Sequence, residues 1–245
     1  MTKPLALTLG EPAGIGPDIA VAAWLRRREL GLPVFYLIGD PDFLAARARA
    51  LGLDAPVAEA SPATAAAIFP DALPVVASGI AATAQPGRPD GTSAPAAIAA
   101  IRQAVAHVVA GRASAVVTNP IAKSVLYRAG FSHPGHTEFL AQLAAAAGGA
   151  VPHPVMMLWW PELAVVPVTF PLPLREAIAQ LSTDLIVRTA RIVAADLTAR
   201  LGIARPRLAL SGLNPHAGED GTLGTEDRDI VAPAVGAVRP EGAPG

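Results

Sequence analysis

The sequence predicts an α/β protein built on a parallel sheet. Three observations carry this. Short apolar runs alternate with helical stretches at close spacing over the first half of the chain, the pattern of strand–helix units whose helices cover a parallel sheet. Two of the runs end directly in glycine-rich or polar loops that open a helix, as strands of open α/β sheets do where they hold ligands. Finally, 52% of the 245 residues are apolar but only 4% are aromatic, so a sizeable core is expected, built from small side chains on many helices.

The elements follow in order. Residues 4–9 form a first strand, and the loop GEPAGIGP at 10–17 leads into a helix over 18–30. Such a loop can present backbone N–H groups to an anion at a helix N-terminus. It matches neither the dinucleotide fingerprint nor a Walker loop, so two readings stand: a ligand loop, or a tight turn that needs small residues. Residues 33–39 form a second strand and 40–51 a helix. The Ala/Pro-rich stretch at 61–74 resists placement; a third strand is expected at 73–77. The run TAQPGRPDGT at 83–92 is a loop, after which Ser93 is expected to cap an alanine-rich helix ending near Gly111. His107 on that helix is read as an ordinary surface or core residue.

A strand at 113–117 runs into TNPIAKS, which places Lys123 in the first turn of the next helix. A positive charge there opposes the helix dipole, which points either to a ligand or to a solvated lysine. His136 and Thr137, in GHTE, open a helix over 137–147. An imidazole, a hydroxyl and free N–H groups at a helix start suit an anionic substrate; either side chain could instead simply cap the helix. Runs at 154–159 and 163–169 read as a strand pair, 174–181 as a short helix and 183–201 as a long amphipathic one. Residues 206–210 read as a buried strand that delivers the loop SGLNPHAGEDGTLGTE, and a last helix spans 226–238. In that loop His216 is a candidate metal ligand, while Thr225, Glu226 and Asp227 also read as a helix start.

A net charge of −1 gives no electrostatic case for nucleic acid or an anionic membrane. With no cysteine, disulfides and thiolate metal sites are excluded, and the composition fits a reducing cytoplasm. The opening apolar run at 5–9 is too short for a signal peptide. No run reaches the roughly 18 apolar residues of a membrane helix; the longest candidate is broken by Pro167, Pro171 and Pro173.

Five motifs occur in a telling order: GEPAGIGPD at 10–18, VVTNPIAK at 116–123, GHTEFLA at 135–141, VMML at 155–158 and SGLNPHAGEDG at 211–221. Together they resemble the 4-hydroxythreonine-4-phosphate dehydrogenases of pyridoxal phosphate biosynthesis, over essentially the whole chain. The resemblance implies a fold like the isocitrate and isopropylmalate dehydrogenases, with two α/β domains around a cleft in a homodimer. The first domain would span 1–118 and the second 119–245, the latter holding the metal and substrate loops and a dimer interface. It implies a small phosphorylated substrate, an NAD(P) cofactor, a divalent metal (Zn, Mg or Co), and oxidation of 4-phosphooxy-L-threonine followed by decarboxylation to 3-amino-2-oxopropyl phosphate.

Carried over by residue, His136 and Thr137 match the substrate-binding pair and His216 one of three metal histidines. Pro171 stands where the family has a second histidine, and the third lies beyond Gly245 in a segment that also carries basic residues for the phosphate. Glu219 and Asp220 are the nearest carboxylates that could replace missing ligands. Two functions therefore compete: a dehydrogenase, on this substrate or on another phosphorylated hydroxy acid or dihydrodiol, or a fragment or paralogue that only binds a phosphorylated ligand through Gly14, Gly16, His136 and Thr137. Unpaired sheet edges at a shortened C-terminus lead to an expectation of poor solubility or obligate dimerisation.

Overall fold

A computed structural model describes residues 2–133, 135–146, 148, 150–169 and 172–239. The chain forms two compact units, Met1–Pro152 and His153–Gly245.

The first unit is organised by a five-stranded parallel sheet: β1 (Leu5–Thr8), β2 (Phe35–Gly39), β3 (Val57–Glu59), β4 (Leu73–Ala77) and β5 (Val116–Val117), in the spatial order β3-β4-β2-β1-β5. Every pairing is parallel, with Leu5 beside Phe35, Ala6 beside Val116 and Leu37 beside Val75. The connecting helices are α1 (Gly16–Leu25), α2 (Pro41–Ala50), α3 (Ala65–Ile68) and α4 (Ala94–Val109), and α4 packs on β1, β2 and β5. Two further helices, α5 (Lys123–Arg128) and α6 (His136–Ala145), follow β5.

The central strands are apolar on both faces, because helices cover both. Tyr36, Leu37 and Ile38 of β2 and Leu73 and Val75 of β4 are wholly buried. The alanines of α4, among them Ala96, Ala97, Ala100 and Ala104, are buried too, so this helix lies close against the sheet. The few aromatics anchor the far end: Trp24 donates its indole N–H to the Phe69 carbonyl at 3.0 Å, and Phe35 meets Phe69 edge-on at 5.0 Å.

Several sequence expectations are corrected. α1 stops at Leu25 rather than near Leu30, and the turn that follows closes on Gly31 with φ of 59°. The unplaced stretch supplies α3, and β3 just before it was unforeseen; three residues are too few to show a pattern. Ser93 stands at the N-terminus of α4 but does not cap it, since its hydroxyl donates back to the Asp90 carbonyl at 2.9 Å.

The second unit begins with an antiparallel hairpin, β6 (Leu158–Trp160) and β7 (Leu163–Val165). Then come α7 (Leu174–Gln180), α8 (Thr183–Leu201) and α9 (Ala232–Val238). α8 has the expected ends: Ser182 Oγ accepts from the Leu185 N–H at 3.3 Å, and Gly202 closes the helix at φ 69°. Its face of Ile186, Thr189, Ala190 and Val193 is buried, and α9 packs on it. Residues 206–210, expected as a buried strand, form no strand and are exposed or half-buried. A strand exists only through a paired neighbour, and no described strand lies beside this run. Phe170 and Pro171, the end of the α6 expectation at Ala147, and 240–245 lie outside the described residues. Among the described residues, no helix is long and apolar enough to cross a membrane.

His107 is a core residue. Its Nδ1 lies 2.9 Å from the Tyr36 hydroxyl, with both side chains buried. Burial pushes the tyrosine up to about 12. Burial, then the Arg112 charge, holds the histidine below its ordinary 6.5, so a neutral ring and the hydroxyl share the hydrogen bond. The folded value is below the unfolded one, so the unfolded chain takes up the proton first as pH falls. This group's contribution to stability is therefore full above about 6.5 and is lost as pH drops from there toward the folded value. Melting measured at about pH 7.5 and about pH 5.5 is expected to show a smaller acid-induced decrease in Tm for His107→Gln than for the parent. An unchanged decrease would assign the acid sensitivity elsewhere.

Candidate functional site

The candidate site of the first unit lies at the carboxyl ends of β1 and β5. These strands are neighbours, but their outgoing loops part: one leads to α1 and back to β2, the other leaves the sheet for α5 and α6. Such a parting is where open parallel sheets hold ligands.

The two loops are locked together. Asn119, buried after β5, donates from Nδ2 to the Thr8 carbonyl at 2.9 Å, and its own N–H is held by Thr8 Oγ1 at 3.2 Å. The Glu11 N–H donates to the Pro120 carbonyl at 2.8 Å. A Cβ on Gly10 would stand 2.6 Å from the Pro120 oxygen and 2.7 Å from Asn119 Cβ; one on Gly16 would stand 2.7 Å from the Leu9 oxygen. The glycines thus permit close backbone approach. Glu11 folds back, with Oε1 accepting from the Ala13 N–H at 3.0 Å and Oε2 buried without a partner among the described residues. From α2, the buried Arg47 grips the same loop. It holds the Asp18 carboxylate at 2.5 and 2.8 Å and the Gly14 carbonyl at 3.3 Å. Nothing in the sequence singles out this arginine, which sits in an alanine-rich helix.

Beyond the second loop, α6 opens at His136 with Gly135 as its N-cap; neither His136 nor Thr137 caps it. The imidazole is half-buried, and Nε2 is buried without a hydrogen-bond partner among the described residues. Burial, and then the Lys123 charge, hold its pKa below the ordinary value. Lys123 lies close: a Cβ on Gly135 would stand 3.6 Å from its Nζ and 3.4 Å from Glu138 Oε2. Behind the helix start, His133 stacks on Phe139 at 4.9 Å, Phe131 meets both edge-on at 4.9–5.0 Å, and the Arg102 guanidinium sits 5.2 Å over Phe139. His136, Thr137 and Lys123 are therefore grouped at one helix mouth: a hydroxyl, a neutral imidazole and an ammonium, with uncapped N–H groups. This chemistry suits an anion.

His216 belongs to the second unit. It is exposed and pairs through Nδ1 with Glu219 Oε1 at 2.8 Å. Asn214 shapes its loop, with Oδ1 accepting from the His216 N–H at 2.9 Å and Nδ2 donating to the Leu223 carbonyl at 3.3 Å. Asp227 accepts from the Leu213 N–H at 3.0 Å, and its second oxygen is buried without a partner among the described residues. Ala217, Glu219 and Asp220 adopt positive φ values of 47°, 42° and 54°, a conformation costly for residues with side chains. Asp220 points to no ligand set. Among the described residues, no group of three or more histidine or acidic side chains could hold a metal ion.

Residues 32–244 match the family model described as pyridoxal phosphate biosynthetic protein PdxA. The chain is 66% identical to a 4-hydroxythreonine-4-phosphate dehydrogenase of Bradyrhizobium diazoefficiens over 248 residues, covering 98% of this chain and 72% of that protein. It superposes on the crystal structure of a 4-hydroxythreonine-4-phosphate dehydrogenase from Klebsiella pneumoniae with a TM-score of 0.78 at 29% identity, covering 97% and 72% of the two chains. A terephthalate 1,2-cis-dihydrodiol dehydrogenase from Burkholderia xenovorans follows at a TM-score of 0.61 and 27% identity, with 99% and 72% covered.

Proposed function

The chain belongs to the PdxA family of pyridoxal phosphate biosynthetic proteins, an oxidoreductase family with the isocitrate/isopropylmalate dehydrogenase type of fold, and from this we propose that it oxidises and decarboxylates 4-phosphooxy-L-threonine in an NAD- and metal-dependent reaction. The carrying observation is the 66% identity to a dehydrogenase of that name across nearly the whole chain.

In this reading the secondary alcohol loses a proton and a hydride, and the resulting β-keto acid loses CO2 to leave 3-amino-2-oxopropyl phosphate. A bound nicotinamide nucleotide supplies the hydride acceptor. His136 and Thr137 hold the anionic end of the substrate at the start of α6. The Thr137 hydroxyl donates to it, and the neutral His136 ring offers Nε2, which has no hydrogen-bond partner among the described residues. The loops after β1 and β5, bound through Asn119 and Arg47, fix the floor of the site.

His216 would give one ligand to a divalent ion, beside the Glu219 carboxylate. Catalytic sites of this kind supply three protein ligands, and the described residues do not complete that set. We also propose a homodimer in the cytoplasm.

The deciding experiment incubates the chain with 4-phosphooxy-L-threonine, NAD or NADP, and zinc, magnesium or cobalt, following reduced nucleotide by absorbance. Metal-dependent reduction that His216→Ala abolishes supports the dehydrogenase. Calorimetric binding of the substrate with no reduction under any metal would overturn it.

A further inference from the structure

We propose that Lys123 is a further substrate-binding residue of this site and that it contacts the phosphoryl group alongside His136 and Thr137. The inference rests on the substrate class given above and adds a cation from the first unit.

Three observations lead to it. Lys123 is the first residue of α5, in the turn where its charge opposes the helix dipole. Helix stability therefore gives no reason for a lysine there. Its side chain also reaches toward a different helix: Nζ and Cε would stand 3.6 and 3.8 Å from a Cβ on Gly135, the N-cap of the ten-residue α6. Gly135 has no side chain to fill that space or cap the helix. Finally, Lys123 forms no ion pair within 4.0 Å among the described residues, although the Glu138 carboxylate flanks the same point. The ammonium thus stands at the uncapped start of α6, beside Gly135 and near enough to His136 for its charge to lower that pKa.

Topology supports the same placement. Lys123 is carried by the loop after β5, which Asn119 and Glu11 bind to the glycine loop after β1. A tetrahedral dianion set between that loop and α6 would give each donor a charge-assisted partner. The flexible stem of lysine suits a point-charge contact rather than a fixed bidentate one.

The test is calorimetric titration of inorganic phosphate into the full chain, with Lys123→Met, Lys123→Gln and Lys123→Arg in parallel and melting curves as the folding control. Lys123 is exposed, so the variants are expected to melt with the parent. Loss of phosphate affinity by about tenfold or more in the Met and Gln variants, with Arg within about threefold of the parent, supports the assignment. Equal affinity in parent and Met variant, or no phosphate binding by the parent, overturns it. Turnover of 4-phosphooxy-L-threonine by the parent, measured separately, reads the function itself: an active parent whose Met variant keeps its phosphate affinity and its KM leaves the function standing and removes Lys123 from the site.

Discussion

Gly10→Ala is expected to lower the stability of the chain by about 3 kcal/mol, combining the cost of a left-handed backbone with that of overpacking. Gly10 has φ of 72°, and the new methyl group would stand 2.6 Å from the Pro120 carbonyl oxygen and 2.7 Å from Asn119 Cβ. Neither neighbour can yield easily. Asn119 is fixed by two hydrogen bonds to Thr8, and the Pro120 carbonyl already accepts from the Glu11 N–H. The control is Gly52→Ala, where φ is 67° but nothing stands within 4 Å of the added carbon. That variant is expected to lose only about 1 kcal/mol. Urea unfolding followed by circular dichroism separates the two, with a midpoint for the Gly10 variant lower by about 1 M. Equal midpoints would mean that the loops after β1 and β5 are not locked as described. If they are locked, the Gly10 variant should also lose substrate affinity, because the same contact sets the position of the segment leading to Lys123.

Much of this frame is legible in the sequence. β1, β2 and β4 appear as apolar runs at the expected places, and the two ends of α8 are marked by Ser182 and Gly202. These signals are local: a buried run needs no partner to be recognised, and a cap is chosen by its own helix. What fails is what depends on a neighbour. Residues 206–210 have the composition of a strand but no described strand beside them. β3 is too short to announce itself and exists because β4 lies alongside. Ser93 sits where a cap belongs, yet Asp90 captures its hydroxyl.

The same division runs through the site. His136, Thr137 and Lys123 stand out through residue type and position at a helix start. Arg47 does not, because its role arises only when α2 is laid against the loop of Gly14 and Asp18. Asn119 is visible in its motif, but its function as the tie between β1 and β5 is a product of strand order. His216 is equally visible, but its pairing with Glu219 three residues on is a product of the loop's own fold.

His136→Ala is expected to reduce kcat/KM for 4-phosphooxy-L-threonine by about 10- to 100-fold, the range of a hydrogen bond to a charged group, while leaving Tm unchanged or raised. The two halves of this expectation have one cause. Nε2 is buried and has no partner among the described residues, and an orphaned polar atom costs about 1–3 kcal/mol. A group held at such a cost is unfavourable to folding and favourable only when a ligand satisfies it, so its removal should relieve the fold and harm the reaction. The pH profile carries a further consequence. Burial first, and the Lys123 charge second, hold this histidine below 6.5. The free enzyme therefore keeps a neutral ring at neutral pH, and this group should produce no fall in kcat/KM as pH is lowered from about 8 to about 7. Steady-state kinetics and melting on parent and variant test both halves together. A lowered Tm with unchanged kcat/KM would make His136 a structural residue at the start of α6, and the substrate would have to be held by other groups.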